Sequence, residues 1–318
     1  MSAHPESINW YRTPIDRGLL RELSQKSDRR AWFQVVGHLT ALAISGSVTV
    51  WALNSSFPPV AIIPLFIHGC IMSMLGWTGA SHELNHNSVF NTKWLNGFFL
   101  KLFAFMTWNN PVLFRRSHAR HHAYTLHAPL DQEVNAHREI TKRQWASYWT
   151  INLHDFYRTA RAHYFNARGI ITGGWAQLLF PEADDSGRNK MSRWSLTLLS
   201  GHAVLALVFL LSGFWEGLLI FTLASRIGNV FAVALAEMQH RGCIDGSKDF
   251  RENSRTILLE PLFAFFYWNM NYHIEHHMYP QIPFYNLPRL RREIESDLPS
   301  APRGLVASIM VSFFPQTA

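Results

Sequence analysis

Four long stretches of this chain are almost free of charged side chains, and they limit the folds open to it. These stretches are residues 31–53, 59–80, 195–213 and 214–236. Only the last contains charges, Glu216 and Arg226. A helix needs about 20 consecutive apolar residues to cross the hydrocarbon core of a bilayer. The sequence therefore predicts an all-α integral membrane protein with about four transmembrane helices in two hairpins. The alternative is that these stretches form buried helices of a large soluble core.

The basic residues lie between and around the apolar stretches, and their distribution predicts an orientation. The first 30 residues and the long segment 93–193 are rich in Lys and Arg, whereas the short connectors at 54–58 and near Gly213 have neither. Because basic loops stay cytoplasmic, we expect the termini and the long segment on that side, as a cytoplasmic helical cap. Residues 94–108 are apolar but too short to span, which predicts an interfacial or re-entrant helix.

Charge and cysteine content exclude two classes of protein. The net charge of +7 comes from residues beside the apolar stretches and not from one continuous stripe. Anionic lipid headgroups are therefore the expected partner, and nucleic acid is not. The two cysteines, Cys70 and Cys243, lie in different environments and predict no disulfide framework. No Gly/Ser-rich linker or low-complexity segment divides the chain, so we expect one domain over residues 1–318.

Eight of the 17 histidines occur in three short clusters, and their spacing predicts a metal site. The clusters are His82 and His86; His118, His121 and His122; and His273, His276 and His277. Helical residues three or four positions apart share a face, so each cluster points imidazoles in one direction. Neutral imidazole binds iron, zinc, copper and nickel, and eight rings exceed the needs of one ion. The pattern predicts a two-metal site. The isolated His38, His68 and His202 are expected to be structural.

Residues beside the clusters are candidates to complete this site. His240, at the end of the fourth apolar stretch, is a predicted ninth ligand; the alternative is that it caps the span. Glu237 lies three residues before it. We expect it to orient a ligand, with Arg226 as its ionic partner, and direct binding of the metal is the alternative. Glu83 and Glu275 lie inside clusters and are expected to accept hydrogen bonds from the second ring nitrogens of ligands. A hydrolytic zinc site would need fewer histidines.

The clusters and their flanking residues match a known family. The first reads His82-Glu-Leu-Asn-His86, followed by Asn87-Ser-Val-Phe90. The second reads His118-Ala-Arg-His121-His122, followed by Asp131-Gln-Glu133, and the third is Asn271-Tyr-His-Ile-Glu-His-His-Met-Tyr-Pro280. With these motifs the chain resembles, from about residue 30 to 295, the membrane fatty-acid desaturases and hydroxylases of the histidine-box superfamily. One departure is Gln132, which stands where relatives often carry proline.

This resemblance implies a function. It implies a non-haem di-iron centre with the nine histidines as ligands and Asn271 nearby, dioxygen as co-substrate, and electrons from a separate donor of ferredoxin or cytochrome b5 type with a reductase. Desaturation of a lipid acyl chain is the leading expectation. Hydroxylation or another monooxygenation of a lipid-like or small apolar substrate is the alternative. A non-catalytic membrane metal-binding protein is less favoured, because the apolar stretches lack the ionisable residues of a transport path. The aromatic residues of 98–108 and 263–268 are expected to line an acyl tunnel or to form an interface belt.

Overall fold

The computed structural model describes residues 7–134 and 140–313, with the backbone alone described for 311–313. Within these residues the chain is helical and only isolated pairs of residues form β-bridges, which confirms the all-α prediction. The predicted single domain of residues 1–318 includes residues 1–6, 135–139 and 314–318, which lie outside the described residues. The ends of the chain, for which we predict a cytoplasmic side, are among them.

The described residues form the following α-helices, given in chain order. They are α1 (Arg17–Leu23), α2 (Asp28–Leu53), α3 (Ile62–Ser73), α4 (Ala80–Asn85), α5 (Lys93–Met106), α6 (Pro111–Tyr124), α7 (Lys142–Tyr148), α8 (Leu153–Ala167), α9 (Gly174–Leu179), α10 (Asp185–Leu211), α11 (Val230–Met238), α12 (Phe250–Asn253), α13 (Pro261–Phe266), α14 (His273–Met278), α15 (Leu287–Ile294) and α16 (Leu305–Phe313). Short 3-10 turns cover Pro58–Ala61, Ala224–Arg226, Phe284–Asn286 and Glu295–Asp297, and a π-helical turn covers Leu218–Thr222.

Two helices in the described part of the chain have the length and apolar composition needed to cross a membrane. They are α2, with 26 residues, and α10, with 27 residues, which correspond to the first and third predicted spans. Each is about 40 Å long at about 1.5 Å per residue. Large apolar side chains stay exposed on both helices, among them Trp51 at 72% and Leu211 at 78%. Lipid is a more favourable surrounding than water for such surfaces.

The predicted second span, residues 59–80, is helical only as far as Ser73. Pro58–Ser73 forms a shorter apolar helix, which packs against α2 as the predicted first hairpin. Residues 74–79 then turn sharply, because the Ala80 amide donates to the Met74 carbonyl at 3.0 Å. A side chain at Gly79 would place its Cβ 2.5 Å from the same Met74 oxygen, so this turn requires glycine. The turn starts α4, which carries the first histidine cluster.

The prediction of one continuous helix over residues 214–236 is wrong. The segment consists of the π-helical turn Leu218–Thr222, the 3-10 turn Ala224–Arg226 and α11. Arg226 is the reason for the break, since its guanidinium turns inward to Asp155 of α8 with Nη1–Oδ2 at 2.6 Å. Gly228 then reverses the chain with φ of +61°. The second predicted hairpin is therefore a long helix followed by an irregular segment.

Side chains of α3 and of the turn between α5 and α6 compensate for the lost helical hydrogen bonds of this irregular segment. His68 Nε2 lies 2.7 Å from the Ile220 carbonyl, and Trp108 Nε1 donates to Thr222 at 2.8 Å. Buried backbone polar groups outside a regular helix need such hydrogen-bond partners. His68 thus has the structural role expected for an isolated histidine.

Helix α3 approaches the irregular segment so closely that Gly69 has no room for a side chain. A Cβ at residue 69 would lie 1.9 Å from the Ile227 carbonyl oxygen. Gly69→Ala is therefore expected to lower the free energy of unfolding by about 1–3 kcal/mol or more. The measurement is thermal unfolding in detergent.

Gly97→Ala is the matched control, because nothing lies within 4 Å of the added Cβ there. Gly97 is inside α5, where alanine is favoured over glycine by about 0.5–1 kcal/mol. Equal melting temperatures for the two variants would show that the close contact at Gly69 is unimportant.

The main core cluster joins α2, α4 and α5 to the third histidine cluster. Buried side chains from each of these elements meet there, among them Leu84, Phe103, Trp268 and Ile274. Helix α5 buries one face in this core and exposes Trp94 and Phe98 on the other. The helix predicted at residues 94–108 is therefore present, and its place at a membrane interface stays a prediction.

Candidate metal centre

The first two histidine clusters reach the centre on α4 and α6. His82 lies on α4 and His86 directly follows it. Helix α6 begins at Pro111, where the Asn110 side chain accepts hydrogen bonds from the first free amides. Its last two turns carry His118, His121 and His122. His122 Nε2 lies 3.0 Å from His118 Nε2, whereas the His121 ring faces His240 and His277, with ring centroids 4.9 Å away in both cases. The second cluster therefore does not direct all its imidazoles to one place.

The third cluster and His240 come from the C-terminal part of the chain. Helix α14 carries His273, His276 and His277, and all three are buried. His240 follows α11 and is also buried. His277 Nε2 lies 3.0 Å from His273 Nε2, whereas His276 Nε2 lies 3.1 Å from that of His82 and 3.2 Å from that of His122.

All nine predicted ligands meet in two adjacent groups. We define the five-histidine group as His82, His86, His118, His122 and His276, and the four-histidine group as His121, His240, His273 and His277. Within each group, the candidate ligand nitrogens lie within 4.8 Å of one another. The two groups touch, since the ring centroids of His122 and His277 are 4.3 Å apart. Helices α6 and α14 each contribute histidines to both groups.

Ring nitrogens in both groups face one another at distances that suit a bound cation. His118 Nε2 lies 3.0 Å from Nε2 of both His86 and His122, and His240 Nε2 lies 2.8 Å from that of His273. A hydrogen bond places one proton between two nitrogens, so hydrogen bonds alone cannot pair all the ring nitrogens that meet in each group. Two nitrogens bound at right angles to a metal at about 2.1 Å are separated by about 3 Å. The donor set therefore fits two metal ions.

Hydrogen bonds at the opposite ring nitrogens orient several of these imidazoles. His118 Nδ1 donates to Glu133 at 2.7 Å, and His121 Nδ1 lies 2.8 Å from Asp131. His240 Nδ1 donates to the Asn253 carbonyl at 2.9 Å. A proton held on Nδ1 leaves the Nε2 lone pair free for a metal.

Burial keeps most of these imidazoles neutral. It lowers the pKa of His86, His240 and His276 to about 3. Burial also lowers the pKa of the remaining group members well below the ordinary value, except for His121; these are His82, His118, His122, His273 and His277. At His121, burial is outweighed by the charge and hydrogen bond of Asp131, which raise the pKa. Neutral imidazole is the form that binds metals.

The four predicted supporting residues have different surroundings. Glu83 is buried, with Oε1 3.2 Å from His276 Nδ1, and burial raises its pKa to about 8. Glu275 contacts Thr256 and Arg291 in place of the expected imidazole. Asn271 Nδ2 donates to the Ile257 carbonyl at 2.8 Å.

Glu237 does not have the ionic partner that the sequence suggested. It accepts from Arg241 Nη2 at 3.0 Å, while Arg226 pairs with Asp155. Neither histidine group includes Glu237. The expectation that Arg226 keeps it ionised is therefore wrong, because the break before α11 turns Arg226 toward α8.

Sequence reasoning did not assign Asp131 and Glu133 to the site. Both follow the second cluster in the sequence, and that proximity was the available signal. They reach His121 and His118 because the Leu126 amide donates to Asp131 Oδ2 at 3.1 Å, which folds the segment back toward α6. Burial raises the pKa of Glu133 to about 7. Burial acts to raise the pKa of Asp131, but the charge and hydrogen bond of His121 outweigh it and lower this pKa.

Glu133→Gln and Asp131→Asn are expected to weaken metal binding by about 10–100-fold each. Each amide keeps the shape of the side chain but removes the charge that holds the Nδ1 proton. The measurement is competition with a chelator. Glu182→Gln, in an exposed loop, is the control and should bind metal normally. Unchanged affinity in both variants would mean that these carboxylates do not support the ligands.

Comparison with known proteins agrees with the resemblance seen in the histidine motifs. Residues 55–307 match the sequence model of the family described as Fatty acid desaturase. The chain is also 24% identical, over 262 residues, to a Caenorhabditis elegans protein whose name describes a sphingolipid delta(4)-desaturase/C4-monooxygenase. That match covers 80% of this chain and 64% of the relative, which is less than two thirds of its length. The family match contains all three histidine clusters and His240, and it confirms that the chain belongs to the fatty acid desaturase family.

Proposed function

We propose that this protein is a membrane-bound, dioxygen-dependent oxidoreductase that removes hydrogen from an unactivated C–H bond of a lipid chain. The observation that carries the proposal is the convergence of nine imidazoles from four segments into two touching groups. Family membership supports an enzyme of lipid oxidation. Desaturation is the first candidate reaction and hydroxylation the second.

Iron is the metal that this proposal requires. The five-histidine and four-histidine groups would each hold one iron ion. Iron changes oxidation state, which zinc does not, so a pair of irons would supply the reducing chemistry that dioxygen activation requires. A zinc hydrolase is disfavoured because it uses three protein ligands and leaves a position open for water.

The residues of the chain hold the ligands and exclude water. Asp131 and Glu133 accept the Nδ1 protons of His121 and His118, and so aim the opposite nitrogens into the groups. The four-histidine group is buried in all its members. A dry surrounding protects a strong oxidant from side reactions with solvent.

An apolar cavity near the first hairpin suits an acyl chain. Its volume is about 360 Å³. It is lined by Phe66, Ile67, Cys70, Ile71, Met74, Phe231, Leu262, Phe263 and Phe266. Phe263 and Phe266 belong to the aromatic residues for which we expected either a tunnel or an interface belt. We assign them to the acyl cavity.

We further propose a multi-pass protein whose centre faces the cytoplasm and receives electrons from a separate carrier of ferredoxin or cytochrome b5 type with its reductase. The basic segments on both sides of the apolar stretches support this orientation. The two long apolar helices support membrane insertion.

Comparative mass spectrometry of lipids tests the reaction. Cells with the protein should contain a lipid that has lost two hydrogen atoms, if it is a desaturase, or gained one oxygen atom, if it is a hydroxylase. The name of the Caenorhabditis elegans relative contains both activities. Cells that produce His276→Ala should lack the product. A lipid profile unchanged by the intact protein, with iron bound, would overturn the proposal.

A further inference from the structure

We propose that Trp10 and Trp77 supply electrons to the two histidine groups when no lipid substrate is bound, so that dioxygen is reduced to water. Each tryptophan is joined to a predicted metal ligand by one phenylalanine ring. The inference rests on the proposed function and adds a second, protective activity at the same centre. The electron donor in this activity is the protein itself.

A stack of three rings leads from the five-histidine group to Trp77. The Phe114 ring is nearly parallel to that of His118, with centroids 5.0 Å apart and planes at 16°. The Trp77 ring stacks on Phe114 in turn, at 4.9 Å and 17°. The carbonyl of Trp77 also lies 3.3 Å from His82 Nδ1. Trp77 is therefore fixed beside two ligands of this group.

A second stack of the same composition leads from the four-histidine group to Trp10. Phe250 contacts the His277 ring, with centroids 5.2 Å apart and planes at 38°. Trp10 stacks on Phe250 at 4.4 Å and 14°. A hydrogen bond from Trp10 Nε1 to the Ala123 carbonyl, at 3.2 Å, holds the indole there. Each group therefore has a tryptophan two ring contacts away from one of its ligands.

The order of the rings suits the transfer of an electron from tryptophan to the centre. Phe114 and Phe250 are buried, at 3% and 1% exposure, whereas both tryptophans are partly exposed. Indole loses an electron far more readily than benzene or neutral imidazole. The phenylalanines therefore pass the electron without being oxidised themselves. Because electron transfer slows steeply with distance, direct ring contacts make these two tryptophans favourable donors.

The reduction of dioxygen to two waters takes four electrons and four protons. A reduced pair of irons gives two electrons, and in the proposed reaction the broken C–H bonds supply the other two. When no C–H bond lies within reach, one electron from Trp10 and one from Trp77 complete the reduction, and all four protons come from solvent. A strong oxidant left without substrate would otherwise react with its surroundings, which here are the ligand imidazoles.

Each tryptophan becomes a radical cation that keeps its indole proton. Trp10 Nε1 donates to a carbonyl oxygen, which is a poor base. Trp77 Nε1 is buried and has no hydrogen-bond partner among the described residues. Because no base takes the proton, the return of a single electron from a reductant in solution restores each side chain. The partial exposure of both rings allows this return.

A single turnover without excess reductant tests this inference. The iron-loaded protein is reduced with photoreduced deazaflavin in the absence of air, freed of the reductant, mixed with dioxygen and frozen. Electron paramagnetic resonance should show an organic radical, and its spectrum should narrow in protein made with ring-deuterated tryptophan. Vesicles of total lipid from cells that lack the protein, which would contain its substrate, should suppress the radical.

Trp10→Phe and Trp77→Phe keep an aromatic ring in each stack and remove only the oxidisable indole. Each variant should halve the radical yield, and the double variant should lose the radical. Peptide mass spectrometry of the double variant should instead find oxygen atoms added to the ligand histidines. Trp94→Phe is the matched control, because Trp94 is 67% exposed on α5 and belongs to neither stack. It should keep the full radical yield.

The same experiment separates this inference from the proposed function. If the lipid vesicles yield product but no tryptophan radical forms without them, the protective activity is wrong and the oxidase stands. A radical that persists in the double variant would assign the electrons to other residues and would also overturn the inference. If the iron-loaded protein forms neither product nor radical, the proposed function fails, and the inference fails with it.

Discussion

His121→Ala and His122→Ala are each expected to abolish lipid oxidation, and each to remove a different iron. His121 belongs to the four-histidine group and His122 to the five-histidine group, although they are adjacent on α6. Changes in residues that only support ligands cost about 10–100-fold, so loss of a ligand should reduce activity by more than 100-fold. Metal analysis should find about one iron per chain in each variant and about two in the unsubstituted protein.

His154→Ala is the control for these two variants. His154 is exposed at the start of α8 and lies outside both groups. Its replacement should leave the iron content and the lipid product unchanged. Two irons retained in His121→Ala, or full activity in either ligand variant, would contradict the assignment of two metal positions.

Arg291→Met is expected to destabilise the fold by about 3–5 kcal/mol, because it leaves Glu275 without its ionic partner. Arg291 Nη1 lies 2.8 Å from Glu275 Oε1, and both side chains are almost fully buried. Glu275 also accepts from the Thr256 hydroxyl. Burial raises its pKa, so a lone carboxyl there would be driven toward its protonated form. The measurement is denaturant unfolding in detergent.

A second substitution and a neighbouring ion pair make this experiment specific. Arg291→Met combined with Glu275→Gln should regain much of the lost stability, since no uncompensated charge remains. Arg289→Met, on the same helix, breaks an exposed pair with Glu22 and should cost less than about 1 kcal/mol. If Arg289→Met proved as costly as Arg291→Met, burial would not be the cause.

The irregular segment after α10 shows where apolar composition is insufficient. Residues 214–236 look like a span because only two of them are charged. The structure breaks the helix where Arg226 reaches Asp155, which lies 71 positions earlier in the chain. The composition of a short stretch of sequence does not indicate an ionic partner so distant in the chain.

The supporting residues of the centre show the same limit. The positions of Asp131 and Glu133 depend on how the chain folds back after α6. Glu275 lies between two histidines, yet its carboxylate faces Arg291 on α15. Proximity in sequence therefore identified the right neighbourhood but not the right contacts.

The amino-acid sequence alone was sufficient to predict that the chain is helical and to locate the two long apolar helices, α2 and α10. It was also sufficient to indicate the family, through the histidine motifs. These properties follow from local periodicity and composition, which a short window of residues contains. Only the tertiary structure decided how the nine imidazoles divide into a group of five and a group of four, and which carboxylates orient them. Adjacent residues of one helix, His121 and His122, point to different groups because the helix rotates by about 100° per residue, and the side chains that meet them come from distant segments.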